Sequence, residues 1–309
     1  MKRLQQALTQ HCRLFHTKHL HTIVPPSPDT IVYGHHASAA VLRTSSRRIL
    51  RAYVLLSDGA ADEPLQKIEE ELRSRKIQVV RSERNTLARM SRGATHQGIV
   101  LEVTPAETKE LLPGTPPSSF LRAAIDGGVA SHPLMLVLDE VVDPHNLGAI
   151  LRSAFLLGAD AVVLSKHGSA PLGATASKAS SGAMEAWLAS GRLFHTRNTT
   201  TLVQSLGDAG WRTIGAVAAP PMSLCVSKGE GSRVKPVPAS SLRRDMPTLL
   251  VLGNEGEGMR PLIRKSCQTL CYIEQEPSAA LNNWPNIVDS LNVSTAAALL
   301  LVALRSCKV

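Results

Sequence analysis

The chain has 309 residues, 43% of them apolar, and a formal net charge of +9. That length accommodates two ordinary domains with real cores, and no apolar run approaches the roughly 20 residues that a membrane-spanning helix needs. The charge is lopsided, a net +7 over residues 1–104 and +2 over 105–309, which points to a polyanion-binding module joined to a near-neutral one.

The first stretch, "MKRLQQALTQHCRLFHTKHLHTIVPPSPD", holds Lys2, Arg3, Arg13 and Lys18 and has no acid before Asp29. Basic, acid-free and helix-capable, residues 1–28 have the composition of a mitochondrial presequence; a disordered basic arm has the same composition. The next zone, 30–104, reads as a small α/β module. "RAYVLLS" (51–57), "IQVVRS" (77–82) and "GIVLEV" (98–103) read as strands, and "EPLQKIEEELRSRK" (63–76) as a helix with Leu65, Ile68 and Leu72 on one face. Residues 105–131 open on the Pro-, Ser- and Thr-rich run that starts at 104 and read as a linker.

From 132 to 309 strand and helix patterns alternate. "LMLVLD" (134–139), "AVVLS" (161–165) and "TLLVLG" (248–253) are apolar strands; "NLGAILRSAFLLGA" (146–159) and the stretch around "MRPLIRKSC" are helices. Near-continuous apolar strands separated by helices predict a parallel sheet covered on both faces, with ligands beyond the C-terminal strand ends. The five cysteines are scattered and odd in number. Cys267 and Cys271, four apart on an expected helix, have no second Cys or His pair to complete a zinc site, so no metal is expected.

Three loops stand out. "LVLGNEGEGM" (250–259) has the order G-x-x-G-x-G, with Glu255 and Glu257 and no lysine. It is neither the dinucleotide fingerprint nor the P-loop, and its carboxylates suit a ligand bearing donors or positive charge, such as S-adenosyl-L-methionine. A plain glycine turn from strand to helix is the simpler reading. In "LDEVVDPHNLGAILRSA" (138–154), Asp143-Pro144 forces a turn, Asn146 stands where a helix N-cap belongs, and Gly148 permits close approach of another segment. Arg152 alone reads as a surface arginine. In "DSLNVSTAAALLLVAL" (289–304), Ser290 and Asn292 precede a buried Ala- and Leu-rich helix.

Taken together and in order, these loops resemble the three motifs of the SpoU (TrmH-like) family of RNA ribose 2′-O-methyltransferases: D-P-x-N-x-G-x-x-x-R, G-N-E-G-x-G and S-L-N-V-S. "SKASSGAMEA" (177–186) resembles the family's Lys-Ala-Ser-x-Gly-Ala segment, and "TIVYGHHASAAVLRTSSRRILRAYVL" with "THQGIVLEV" resembles the N-terminal RNA-binding domain of its ribosomal-RNA branch. The resemblance implies an α/β fold: a parallel-sheet SPOUT methyltransferase domain (132–309) with a C-terminal trefoil knot, preceded by a small α/β RNA-binding domain (30–104). It implies S-adenosyl-L-methionine as cofactor and a homodimer with the last helix at its interface. With the presequence, it implies a guanosine ribose of mitochondrial large-subunit rRNA as target, in the matrix. It also implies catalytic roles for Asn146, Arg152, Glu255, Ser290 and Asn292, with Asn146, Ser290 and Asn292 holding Arg152 and the substrate. Gly253, Ile273 and Leu291 match cofactor-binding positions. The segment between Ile273 and Leu291 is longer than in bacterial relatives, which weakens the match at Ile273. An RNA-binding assembly factor that has lost catalysis and a transfer-RNA methyltransferase are the rival readings.

Overall fold

The structure, a computed structural model, describes residues 27–56, 62–119, 121, 132–219, 235–275 and 290–305. The presequence reading falls almost wholly outside them.

The front unit runs β1 (Ile31–Tyr33), α1 (His35–Thr44), β2 (Ile49–Leu55), α2 (Glu63–Ser74), β3 (Val79–Ser82), α3 (Arg84–Met90) and β4 (Ile99–Val103). Its sheet has the order β1-β4-β2-β3, antiparallel except for β2 with β3. Strand alternation sorts the side chains. Val32, Ile99, Leu101 and Val103 pack with Leu65, Ile68 and Leu72 of α2, while Ile31, Tyr33 and Val100 pack with Leu87 and Met90 of α3. Helix α2 starts where expected because the Asp62 carboxylate accepts the Leu65 N–H and a proline occupies its first turn.

The second unit comprises β5 (Lys109–Glu110), β6 (Leu134–Leu138), α4 (Pro144–Leu156), β7 (Ala161–Ser165), α5 (Ala174–Ala179), α6 (Ala183–Ser190), β8 (Leu193–Thr196), α7 (Thr199–Asp208), β9 (Arg212–Ala216), β10 (Val237–Pro238), β11 (Thr248–Leu252), α8 (Pro261–Ser266), β12 (Thr269–Tyr272) and α9 (Val293–Ala303). The eight strands form one parallel sheet in the order β10-β12-β9-β11-β6-β7-β8-β5. Every residue of β6, β7 and β11 is buried. Leu134, Leu136 and Leu138 face a layer of α4, α5, α6 and α9, and Met135 and Val137 face α7 and α8. The apolar runs therefore reflect strands covered on both sides. Successive strands run outward from β6 through β7 to β8 and then return to the other side, so β6 and β11 meet where the strand order reverses. That is where open α/β sheets bind ligands.

Three local expectations change. Helix α4 is capped by Asp143, whose Oδ1 accepts the His145 N–H at 2.9 Å, so Asn146 lies inside the first turn and its amide is free for other work. The expected helical pair of cysteines is split: Cys267 follows the last residue of α8 as its C-cap, and Cys271 lies in β12. Within the linker, β5 adds to the edge of the large sheet beside β8, and Leu111 joins its core.

The two units meet along a seam that contains a buried ion pair. Glu185 of α6, with a wholly buried side chain, accepts from Arg47 Nη2 (2.5 Å) and Nε (3.2 Å), Ser46 Oγ (2.7 Å) and Ser177 Oγ (3.0 Å). Gly182 makes room for α1, since a Cβ there would lie 2.7 Å from that of Ala40. The chain between Gln275 and Ser290, on whose course the expected knot depends, lies outside the described residues.

Candidate active site at the C-terminal strand ends

The loops leaving β6 and β11 are tied together at both ends. The Asp139 carboxylate, 1% exposed, is held bidentately by Arg260 through Nη2 (2.5 Å) and Nε (3.2 Å), and Arg260 Nη1 also lies 3.1 Å from Glu140 Oε1. The hydrogen bonds that Arg260 donates to Asp139 raise its pKa further. Asn254 Nδ2 donates to the Glu140 carbonyl at 2.9 Å, and Ser165 Oγ receives the Glu140 N–H. Glu140 adopts a left-handed φ of 58° to make this turn, a conformation that costs a non-glycine residue energy and persists only when its surroundings impose it.

The glycine loop then closes on itself through paired Asn254 and Gly258 backbone bonds of 3.0 Å, while Asn254 Oδ1 accepts the Gly256 and Glu257 N–H groups. Gly253 is required here, because a Cβ would collide with the backbone of Gly258 and Met259.

Residues from all three motif loops join in one chain of hydrogen bonds. Glu255 Oε1 accepts from Asn146 Nδ2 at 3.1 Å; Asn146 Oδ1 accepts from Asn292 Nδ2 at 3.0 Å; Asn292 Oδ1 accepts from Ser294 N–H at 2.9 Å and Oγ at 2.6 Å. A carboxylate only accepts, so Asn146 must present its NH₂ to Glu255 and its oxygen to Asn292. That in turn leaves the Asn292 oxygen to cap α9. One charge thus orients two amides and one helix start.

Beside this chain lies a cleft of about 460 Å³, lined by Ala216–Ala219, Leu252–Met259, Arg264, Ile273, Gln275 and the start of the last motif at Ser290, Leu291, Val293 and Ala296. Gly253, Ile273 and Leu291, which lie far apart in sequence, share this one wall. Glu255 and Ser290 also face the cleft.

Arg152 does not join them. It lies six residues along α4 from Asn146, a rise of about 9 Å and a rotation of about 120°. It is exposed, and its Nη1 donates to Ser181 Oγ at 3.1 Å. Asn146 and Asn292 are bonded to Glu255 and to each other rather than to Arg152.

Asp139, Asn254 and Arg260 were absent from the sequence-derived set. Their signals were present: an acid directly ends a buried strand in "LMLVLD", and a single arginine closes the glycine loop. What could not be seen was that these two ends meet. Among the described residues no His, Cys, Asp and Glu group could hold a metal ion, and no helix is long and apolar enough to cross a membrane.

Comparison with known proteins places these features in a family. Residues 133–302 match the SpoU rRNA Methylase family, and residues 31–109 match the RNA 2′-O ribose methyltransferase substrate-binding family. The chain is 35% identical over 297 residues to the human protein "rRNA methyltransferase 1, mitochondrial", covering 93% of this chain and 75% of that protein. It is 34% identical over 266 residues to "23S rRNA (guanosine-2′-O-)-methyltransferase RlmB" of Photobacterium profundum, covering 86% of this chain and 93% of the relative. In fold it is similar to an AdoMet-bound rRNA methyltransferase from Sinorhizobium meliloti, with a TM-score of 0.61 at 17% identity over 89% of this chain and 85% of that one.

Proposed function

We propose that this chain, which belongs to the SpoU rRNA methylase family, transfers a methyl group from S-adenosyl-L-methionine to the ribose 2′-oxygen of a guanosine in mitochondrial large-subunit rRNA. The observation that carries this reading is the chain of bonds from Glu255 through Asn146 to Asn292, which joins the three motif loops beside one cleft.

The cleft suits the cofactor. Its volume is in the range of small-molecule sites, its loop carries Glu255 and Glu257, and among the described residues Arg264 is the one cation that lines it. Carboxylates favour a sulfonium and an ammonium where they would repel a pyrophosphate. In this reading the backbone at Gly253, Ile273 and Leu291 holds the adenine end, and Glu255, Ser290 and the two oriented asparagines shape the reacting side. When bound, the cofactor supplies an electrophilic methyl group.

A ribose hydroxyl is a weak nucleophile at neutral pH, so negative charge developing on its oxygen needs a stabilising partner. Arg152 fills that role. Its guanidinium stays charged, and with one donor on Ser181 the others remain for the hydroxyl and an adjacent phosphate. The chain acts as a homodimer, in keeping with exposed apolar side chains on two neighbouring helices, Leu299 and Val302 of α9 and Phe155 and Leu156 of α4. Its place is the mitochondrial matrix, in keeping with its basic first 28 residues.

The test is methyl transfer in vitro from labelled S-adenosyl-L-methionine to mitochondrial large-subunit rRNA, mapped by ribose-methylation-sensitive cleavage. Label on a single guanosine 2′-oxygen, lost in Arg152→Ala, is the expected result. Cofactor binding too weak to detect would instead favour an assembly factor that has lost catalysis.

A further inference from the structure

The segment "SKASSGAMEA" supplies Ser177 and Glu185 to the seam, and two of its other polar residues, Lys178 and Ser181, face elsewhere. It forms the turn between α5 and α6, closed by the Ser181 N–H donating to the Lys178 carbonyl at 3.1 Å, with Ser181 at a left-handed φ of 51°. This turn carries two cationic contacts. On one side Ser181 Oγ receives Arg152. On the other, Lys178 reaches out of the catalytic unit and donates to Gln97 Oε1 of the front unit at 2.5 Å. Gln97 is itself fixed, its backbone oxygen bonded to His35 Nε2 at 2.7 Å and its side-chain oxygen to the His35 N–H at 3.3 Å. Gly34 leaves space for the ammonium, since a Cβ there would collide with Nζ.

Arg47, Arg73, Arg75, Arg81, Arg197, Arg212 and Arg260 each sit on a carboxylate. Like many other cations among the described residues, the two at this turn have no carboxylate partner; what sets Lys178 apart is that the other described lysines are exposed and it is half-buried. An ammonium has three donors, and Lys178 spends one of them on a neutral amide. Burial lowers its pKa, with no nearby charge to offset the effect. A cation partly removed from water without a counter-charge favours an anion that can supply charge and acceptors together.

We propose that Lys178 binds a phosphate of the RNA backbone and, with Arg152 of α4 bonded to the same turn, clamps the strand next to the target ribose where the two units meet. This rests on the reading of Arg152 given above. The front unit then supplies Gln97 as the prop that holds the ammonium out for the RNA.

The test is RNA affinity across a salt series, with a mitochondrial large-subunit rRNA transcript as probe, for the full chain and for Lys178→Gln and Lys178→Arg. Cofactor affinity is measured alongside. Loss of one phosphate contact makes the slope of log K against log[salt] shallower by about 0.7–0.9. Lys178→Gln is expected to show that change with about tenfold weaker binding and unaltered cofactor affinity, and Lys178→Arg to restore the slope. A Lys178→Gln line parallel to that of the unmodified chain would overturn the clamp and leave Lys178 a prop between units. If the unmodified chain bound no RNA or transferred no methyl group, the functional reading itself would fall.

Discussion

The seam and the cleft solve opposite problems with the same residue type. At the seam Glu185 is fully buried and satisfied by an arginine and two serine hydroxyls. At the cleft Glu255 is half-buried and, among the described residues, holds only neutral groups, the Asn146 amide and, at 3.4 Å, the Val142 N–H. A carboxylate matched by a cation is finished and serves to fix two bodies. A carboxylate matched by amides keeps its negative charge, which remains available to a positive ligand. The difference between structural and functional acids here lies in the charge of their partners, not in how many hydrogen bonds they make.

Breaking the seam should have the largest effect. Glu185→Ala leaves the Arg47 guanidinium buried without its partner and is expected to cost about 3–5 kcal/mol, read from urea unfolding. Replacing both, as Arg47→Met with Glu185→Leu, should recover most of that. A single substitution costing less than about 1 kcal/mol, as an exposed pair would, would show the seam to be wet.

The opposite pattern is expected from Arg152→Ala. Methyl transfer should fall by about 10²–10³-fold, the usual loss when a group stabilising a developing oxyanion is removed. Unfolding free energy should stay within about 0.5 kcal/mol, because the side chain is exposed. Equal losses of stability and rate would erase the distinction drawn between the two regions.

Polarity beside the cleft is tested by Asn146→Asp. It places an acceptor where Glu255 needs a donor, and should cost about 1 kcal/mol, the net worth of one hydrogen bond, because both groups are only half-buried. Weakened cofactor binding is the readout, and unchanged affinity would mean that the order of donors along the chain does not matter.

The last test concerns the two buried thiols, Cys267 and Cys271. Burial pushes Cys267 and Cys271 from the ordinary 9.0 up to about 12. The native state therefore keeps protons that the unfolded chain gives up, so this contribution is fully present below pH 9 and is lost as pH rises toward 12. Stability of the unmodified chain should fall faster between about pH 9 and pH 10.5 than that of Cys267→Ala with Cys271→Ala. Parallel curves would remove the thiols from the account.

Much of this was legible in order along the chain. Runs such as "LMLVL" and "TLLVL" announce strands covered on both faces, because only a strand without a wet side dispenses with polar alternation. The glycine loop, the Asp143-Pro144 turn and the Asn292 start of α9 are local signals with local causes. Misreadings arose where two local solutions competed. Either Asp143 or Asn146 could cap α4, and the nearer acid took the role. The spacing of Cys267 and Cys271 suits a helix, yet α8 ends at Ser266 and the chain turns at once into β12.

The sequence by itself determined the class of fold and the places where chemistry could occur, since periodicity, caps and glycines act over a few residues. Only the tertiary structure decided the partners. Asp139 meets Arg260 because β6 pairs with β11. Glu255 orients Asn146 because the loops after those strands lie side by side, and Arg47 meets Glu185 because α1 packs on α6. Such contacts join residues more than 100 positions apart, and they depend on strand order and layer packing, which no local pattern records.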